Sequence, residues 1–124
     1  LLEALPKDFQ MDQVHTVLKE VALPSEVLDK RARELSGGQL QRVCIARTLL
    51  LNPDIIIFDE SLSGLDPKTQ VQILQLLYKI HGKYQNTFIF IAHDEQLCRA
   101  ICDRTLILEN GQFTRELQDL AEAT

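Results

Sequence analysis

The sequence predicts an α/β fold of mostly parallel strands with flanking helices and a C-terminal hairpin. Three observations carry that prediction. Short apolar, β-branched runs alternate with segments of helical periodicity, the order of an α/β sheet joined by right-handed crossovers. The first run, Ile55-Ile56-Ile57-Phe58, shows no polar alternation, as expected of a strand buried on both faces. Asn110-Gly111 near the end of the chain is a strong two-residue hairpin signal.

From Met11 to Val21, the residues Val14, Val17, Leu18 and Val21 recur at helical spacing, and Pro24 stops the run. A short helical stretch over Ser25 to Arg33 leads to Leu35-Ser36-Gly37-Gly38-Gln39, where Ser36 is a good N-cap. The next helix spans Gln39 to Leu51. Its apolar stripe is Leu40, Val43, Cys44, Ala46, Leu49 and Leu50, and Asn52-Pro53 ends it. After the first strand, Asp66-Pro67 reads as N-cap and first position of a helix. That helix is expected to run to about Ile80, close at His81-Gly82 and turn Val71, Leu74, Leu77 and Tyr78 inward. Thr87 to Ala92 is a second buried strand. Asp94 caps a helix through about Cys102, and Arg104 to Leu108 makes a third strand. The hairpin turn leads to a strand near Gln112 to Arg115, and the tail from Leu117 is expected to begin a helix.

The 124 residues suit one modest domain. A net charge of −5 with no basic block gives no electrostatic reason to expect nucleic acid or an acidic membrane surface as a direct partner. Cys44, Cys98 and Cys102 cannot build a disulfide framework and have no ligand-spaced partners, so they read as buried small hydrophobes in a reducing compartment. No apolar run approaches the roughly 18 to 20 residues of a membrane span. The start has neither the features of a signal peptide nor an initiator Met, and reads as cut from something longer.

Chemistry gathers past the strand ends. Asp59 and Glu60 follow the first strand and His93 the second, the edge at which open α/β sheets bind ligands. An Asp there can help hold magnesium through water, and the adjacent Glu can deprotonate an attacking water. A plain surface turn after a strand gives the same residues. Leu-Ser-Gly-Gly-Gln places a hydroxyl and two glycines at a helix N-terminus, where amides and the helix dipole can face an oxyanion. A well-capped Ser-Gly-Gly turn is the structural alternative, and a structural cap is the alternative for His93.

Taken in order, Leu35-Ser36-Gly37-Gly38-Gln39-Leu40-Gln41-Arg42, then Ile55 to Glu60, then Ser63-Gly64-Leu65-Asp66, then a strand ending in His93-Asp94 closely resemble the second half of ATP-binding cassette (ABC) ATPases. The resemblance runs from about Glu34 to Gln112 and implies part of a P-loop NTPase sheet with a remnant of the helical subdomain. It implies ATP and Mg2+ as cofactors. Ser36, Gly37, Gly38 and Gln39 match the family signature, which contacts the γ-phosphate of ATP held by the opposite cassette. Asp59 matches the aspartate near magnesium, Glu60 the catalytic carboxylate and His93 the histidine that reads the γ-phosphate. Ser63 to Asp66 match the loop that crosses the dimer interface, with Asp66 on the nucleotide side. Arg42 and Arg47 follow the family pattern, and equally suit surface or packing arginines. Residues 1–41 then form the end of the helical subdomain including the signature, with 1–34 docking on a permease. Residues 42–124 form the C-terminal half of the ATPase core.

No G-x-x-x-x-G-K-[ST] phosphate loop occurs in the 124 residues. The resemblance places that loop, an adenine-stacking aromatic and a glutamine loop before residue 1, so the chain alone is expected to be inactive. Leu40-Gln41-Arg42-Val43, Asn52-Pro53-Asp54 and His93-Asp94 with Leu97 look most like importers of oligopeptides, dipeptides or nickel chelates. The implied partners are a second ABC ATPase subunit and transmembrane permease subunits, at the cytoplasmic face of the membrane. Self-association through an exposed sheet edge is also expected. Two other classes compete: an ABC-type ATPase of DNA repair or chromosome maintenance, whose long coiled coils are not seen here, and a non-catalytic interaction fragment.

Overall fold

The computed structural model describes residues 8–117. In chain order it contains α1 (Met11–Glu20), two 3-10 turns (Ser25–Asp29 and Ala32–Glu34), α2 (Gly37–Leu50), β1 (Ile55–Asp59), α3 (Pro67–Tyr84), β2 (Thr87–Ile91), α4 (Glu95–Ile101), β3 (Thr105–Glu109) and β4 (Gln112–Leu117). The chain divides into two compact units, one of residues up to 56 together with 61–88, the other of 57–60 together with 89 onward.

The first unit is built on helices. α1 packs on α2 and α2 on α3. The core takes Val14, Val17 and Leu18 from α1, Ile45, Ala46 and Leu49 from α2, and Ile73, Leu76, Leu77 and Ile80 from α3. Val21 and Val27, between α1 and α2 in sequence, are fully buried with Ile73. Leu40 and Cys44, expected to face inward, are exposed, because α2 turns the Ile45–Leu49 face to its neighbours.

At the end of α1, Ala22 adopts a left-handed φ of 54° and the Leu23 amide returns to the Leu18 carbonyl at 2.9 Å. Arg42 Nη1 donates to the Val21 carbonyl at 3.0 Å, placing a cation at the negative end of that helix.

α3 runs four residues past Ile80, the end expected from sequence, and carries Gly82 within it. Its last residues are anchored from α1: Lys83 Nζ and Tyr84 Oη both donate to the Glu20 carboxylate. Burial pushes the Tyr84 hydroxyl up to about 12, reinforced by the carboxylate it faces. Burial raises the Glu20 carboxyl too, but the bonds from Lys83 and Tyr84 outweigh it and hold the group below the ordinary range. The left-handed turn that ends the helix falls at Gln85, φ 58°. The buried stripe also differs from expectation. Ile73, Leu76, Leu77 and Ile80 face the core, whereas Val71 is exposed and Tyr78 is 83% exposed. Both stripes have helical spacing, and contact with α2 selects between them.

β1 and β2 form one two-stranded sheet. The Thr87 amide donates to the Asp54 carbonyl at 2.8 Å and the Glu60 amide to the Ile91 carbonyl at 2.9 Å. Start pairs with start and end with end, so the strands are parallel. Burial alternates along β1, with Ile56 and Phe58 inside and Ile55 and Ile57 exposed. On β2, Ile89 and Ile91 are exposed. The expectation of burial on both faces is therefore not met: among the described residues only one face of the pair is covered.

In the second unit, Phe58 and Phe90 stack at the strand ends, with centroids 4.7 Å apart and planes 13° apart. β3 pairs antiparallel with β4 from Glu109 opposite Gln112 to Thr105 opposite Leu117, with a bulge after Ile107. The turn is the one the sequence signals, with Asn110 at φ 50° and Gly111 at φ 78°. Arg104 bridges the hairpin to both Glu116 oxygens. Of the three cysteines only Cys98 is buried. Cys44 is exposed and Cys102 half-buried at the end of α4, so the uniform reading of buried thiols is corrected. Leu117 ends β4 rather than starting a helix, and residues 118–124 of the expected tail helix lie outside the described residues.

Candidate functional site

β1 ends in Asp59, and the chain turns at Glu60 with a left-handed φ of 49°. Such a conformation costs a residue with a side chain about 1–3 kcal/mol and persists only where its surroundings enforce it. Here the Glu60 amide is held by the Ile91 carbonyl while Phe58 and Phe90 stack just before them on the two strands. Past β2, Asp94 caps α4 by accepting from the Leu97 amide at 2.9 Å, which sets the short loop bearing His93.

His93 Nε2 then lies 2.8 Å from Glu60 Oε1. An ionised carboxylate only accepts, so this contact uses the Nε2 proton. The imidazole is 92% exposed and the carboxylate about half, so both are open to a reactant. Such a pair can take a proton from water at the carboxylate, with the imidazole N–H orienting it.

Asp59 stands exposed beside this pair. No group of three or more His, Cys, Asp or Glu side chains able to hold a metal occurs among the described residues. A single carboxylate is nevertheless what a magnesium ion needs when phosphates and water supply its other ligands, so the donor set fits a hydrated ion that arrives with a nucleotide.

The second group of candidates lies in the first unit. Ser36 is the N-cap of α2, and the motif closes as a capping box. The Gln39 amide donates to Ser36 Oγ at 3.2 Å, and the Ser36 amide donates to Gln39 Oε1 at 3.1 Å. Gln39 thus spends its side chain on the turn. Gly37 and Gly38 are the first two helical residues rather than a loop before the helix. Their amides have no acceptor within the helix ladder.

The two glycines differ in reason. A Cβ on Gly38 would lie 2.8 Å from Thr69 Cγ2, closer than carbon atoms approach, whereas one on Gly37 would meet Leu65 Cδ2 at an ordinary 3.6 Å. Packing against Thr69 therefore favours glycine at 38 and places no such demand at 37.

Asp66 closes the Ser63–Asp66 loop as the N-cap of α3, with Pro67 in the first turn. Oδ2 accepts the Thr69 amide at 3.0 Å and Oδ1 the Thr69 hydroxyl at 2.5 Å. The Thr69 hydroxyl and amide together hold the Asp66 carboxyl below its usual range. Gly64 turns the loop at φ 78°, a conformation suited to glycine.

The structure thus brings Glu60 and His93 together, with Asp59 adjoining Glu60 in the second unit. In the first, it packs the Ser36–Gln39 turn against Leu65 and Thr69 of the Asp66 segment. Sequence reading missed Thr69, although Asp66-Pro67-Lys68-Thr69 carries the signal of a cap residue with a hydroxyl at the third helical position. It also missed the Ser36-x-x-Gln39 capping box. Arg42 has a packing role at α1, while Arg47 is exposed.

Residues 3–63 match the ABC transporter family. The nickel import ATP-binding protein NikE of Escherichia coli K12 is 42% identical over 112 residues, covering 90% of this chain and 42% of NikE. The metal-staphylopine import system ATP-binding protein CntF of Staphylococcus aureus is also 42% identical over 112 residues, which is 45% of CntF. A dimeric, post-hydrolysis structure of the ATP-binding cassette MJ0796 bound to ADP and Pi superposes with TM-score 0.73 at 34% identity, covering 93% of this chain and 49% of that one. The chain spans less than half the length of these relatives. With sequence, fold and the order of the four motifs in agreement, the chain belongs to the ATP-binding cassette family of ABC transporters.

Proposed function

We propose that the chain carries the catalytic carboxylate and the in-trans signature of an ABC importer's ATP-binding subunit, whose ATP hydrolysis drives uptake of peptides or of nickel and other metal chelates. The contact of Glu60 with His93 at the ends of two parallel strands is the observation that carries this reading. Similarity to a nickel importer and a metal-staphylopine importer supports the cargo class.

In the proposed reaction Glu60 takes a proton from water as the water oxygen bonds to the γ-phosphorus and the bridging P–O bond breaks, releasing ADP. His93 orients the carboxylate and faces the terminal phosphate. Asp59 would hold magnesium through water, and the ion would supply positive charge to offset that of the phosphates. The amides at Ser36–Gln39 of one subunit close on the nucleotide of its partner, and Asp66 lies on the loop between them.

The partners are a second ABC ATPase subunit and transmembrane permeases, with residues 1–41 as the end of the docking helical subdomain and 42–124 as the second half of the core. A peripheral position on the cytoplasmic face of the membrane follows from these partners. Among the described residues no helix is long and apolar enough to cross a membrane.

The 124 residues contain no Gly-rich Lys-Ser/Thr phosphate loop. The chain alone is therefore expected to show no ATP turnover above background. Turnover by the isolated chain that Glu60→Gln abolishes would show that phosphate is gripped without that loop, and would overturn this part of the reading.

A further inference from the structure

Thr69 belongs to none of the four motifs, yet it touches two of them. Its hydroxyl donates to Asp66 Oδ1 at 2.5 Å while its amide donates to Oδ2 at 3.0 Å, so one carboxylate grips both the backbone and the side chain of this residue. A β-branched side chain has one torsion that decides where its methyl goes. Fixing the hydroxyl on Asp66 therefore fixes Cγ2 as well. That methyl occupies the space a Cβ on Gly38 would need, 2.8 Å from the ideal Cβ position. One residue earlier, Gly37 lies at contact distance from Leu65, within the Ser63–Asp66 loop itself. All of these residues belong to the same compact unit.

We infer that Thr69 is a positioning residue that locks the Ser36–Gln39 turn to the Ser63–Asp66 loop, its hydroxyl held by Asp66 and its methyl seated against Gly38. A displacement of the Asp66 carboxylate turns Thr69, and the methyl then moves the first turn of α2. Its functional meaning rests on the reading above: the two elements that face the opposite subunit move as one, so that a change at the crossing loop reaches the signature of the same chain.

The test is a double-mutant comparison on the full chain, read from backbone amide resonances. Asp66→Ser keeps a good N-cap for the Thr69 amide but removes the separate second oxygen that accepts the Thr69 hydroxyl. Thr69→Ser keeps the hydroxyl and removes the methyl. The expected result is that Asp66→Ser moves the Gly37, Gly38 and Gln39 amide resonances when Thr69 is present, and that the same substitution leaves them in place in a Thr69→Ser background. Equal displacement in both backgrounds, or none in either, overturns the inference. Should Asp66→Ser fail to fold, Asp66→Asn, which keeps the shape of the side chain but replaces one of the two accepting oxygens with an NH2 donor, is read in the same way. The amide experiment involves no nucleotide, so it fails or succeeds independently of the catalytic reading, which stands or falls on Glu60.

Discussion

Glu60 and His93 meet across the ends of two parallel strands, Nε2 of one 2.8 Å from Oε1 of the other, with Glu60 held in a left-handed backbone conformation. The Ile91 carbonyl holds the Glu60 amide there, so the strain is part of how the carboxylate is aimed. Glycine adopts that φ without penalty. Glu60→Gly is therefore expected to stabilise the chain by about 1 kcal/mol while removing the carboxylate. Urea unfolding of the two proteins checks this, and loss of stability in the glycine variant contradicts the strain argument.

The two glycines of α2 should respond in opposite senses. Gly37→Ala meets only an ordinary contact and should be neutral or stabilising by up to about 1 kcal/mol, the helix preference of alanine over glycine. Gly38→Ala drives a methyl into Thr69 Cγ2, whose rotation would break the bond to Asp66, and should cost about 1–3 kcal/mol. Denaturant midpoints of the two variants decide the matter, and equal shifts would show that the first turn of α2 yields freely.

The Glu20–Lys83–Tyr84 cluster predicts alkaline sensitivity. Tyr84 titrates near 12 in the folded chain, above the ordinary tyrosine value of about 10. A raised value means that its contribution is complete below pH 10 and is lost as pH rises toward 12. In a Tyr78→Phe background the tyrosinate absorbance reports Tyr84 alone. Its midpoint should fall when Glu20→Gln removes the charge it faces, and an unmoved midpoint would detach Tyr84 from Glu20.

The exposed apolar residues along β1 and β2 predict self-association. Ile57, Ile89 and Ile91 stand in solvent, 61%, 43% and 50% exposed. Light scattering should show mass rising with concentration, and the Ile57→Thr, Ile91→Thr double variant should suppress that rise. A monomer at high concentration contradicts the expectation.

What the sequence made legible was local chemistry. Ser36, Asp66 and Asp94 were recognisable as caps because each acts on amides two or three residues away, and Asn110-Gly111 because a tight turn needs two positive φ angles. The residues at strand ends were legible for the same reason. Less legible were facts settled by distant parts of the chain. The inward stripe of α3 is chosen by α2, and the end of α3 at Tyr84 by a carboxylate on α1. One-sided burial of Ile55-Ile56-Ile57-Phe58 depends on what covers the sheet, which its composition does not encode. At the candidate site motif order named Glu60 and His93 as candidates, and the structure brings those two side chains together. The Glu60–His93 contact, the strained φ of Glu60 and the hold of Thr69 on Gly38 needed coordinates.

The most direct test of the central claim is single-turnover ATP hydrolysis, alongside nucleotide affinity, in the cassette protein that carries this chain, wild type against Glu60→Gln. The substitution keeps the shape of the side chain and removes its basicity. The expected result is hydrolysis slowed by about 100-fold or more with nucleotide affinity unchanged. Wild-type turnover in the glutamine variant would contradict the assignment of Glu60 as the base.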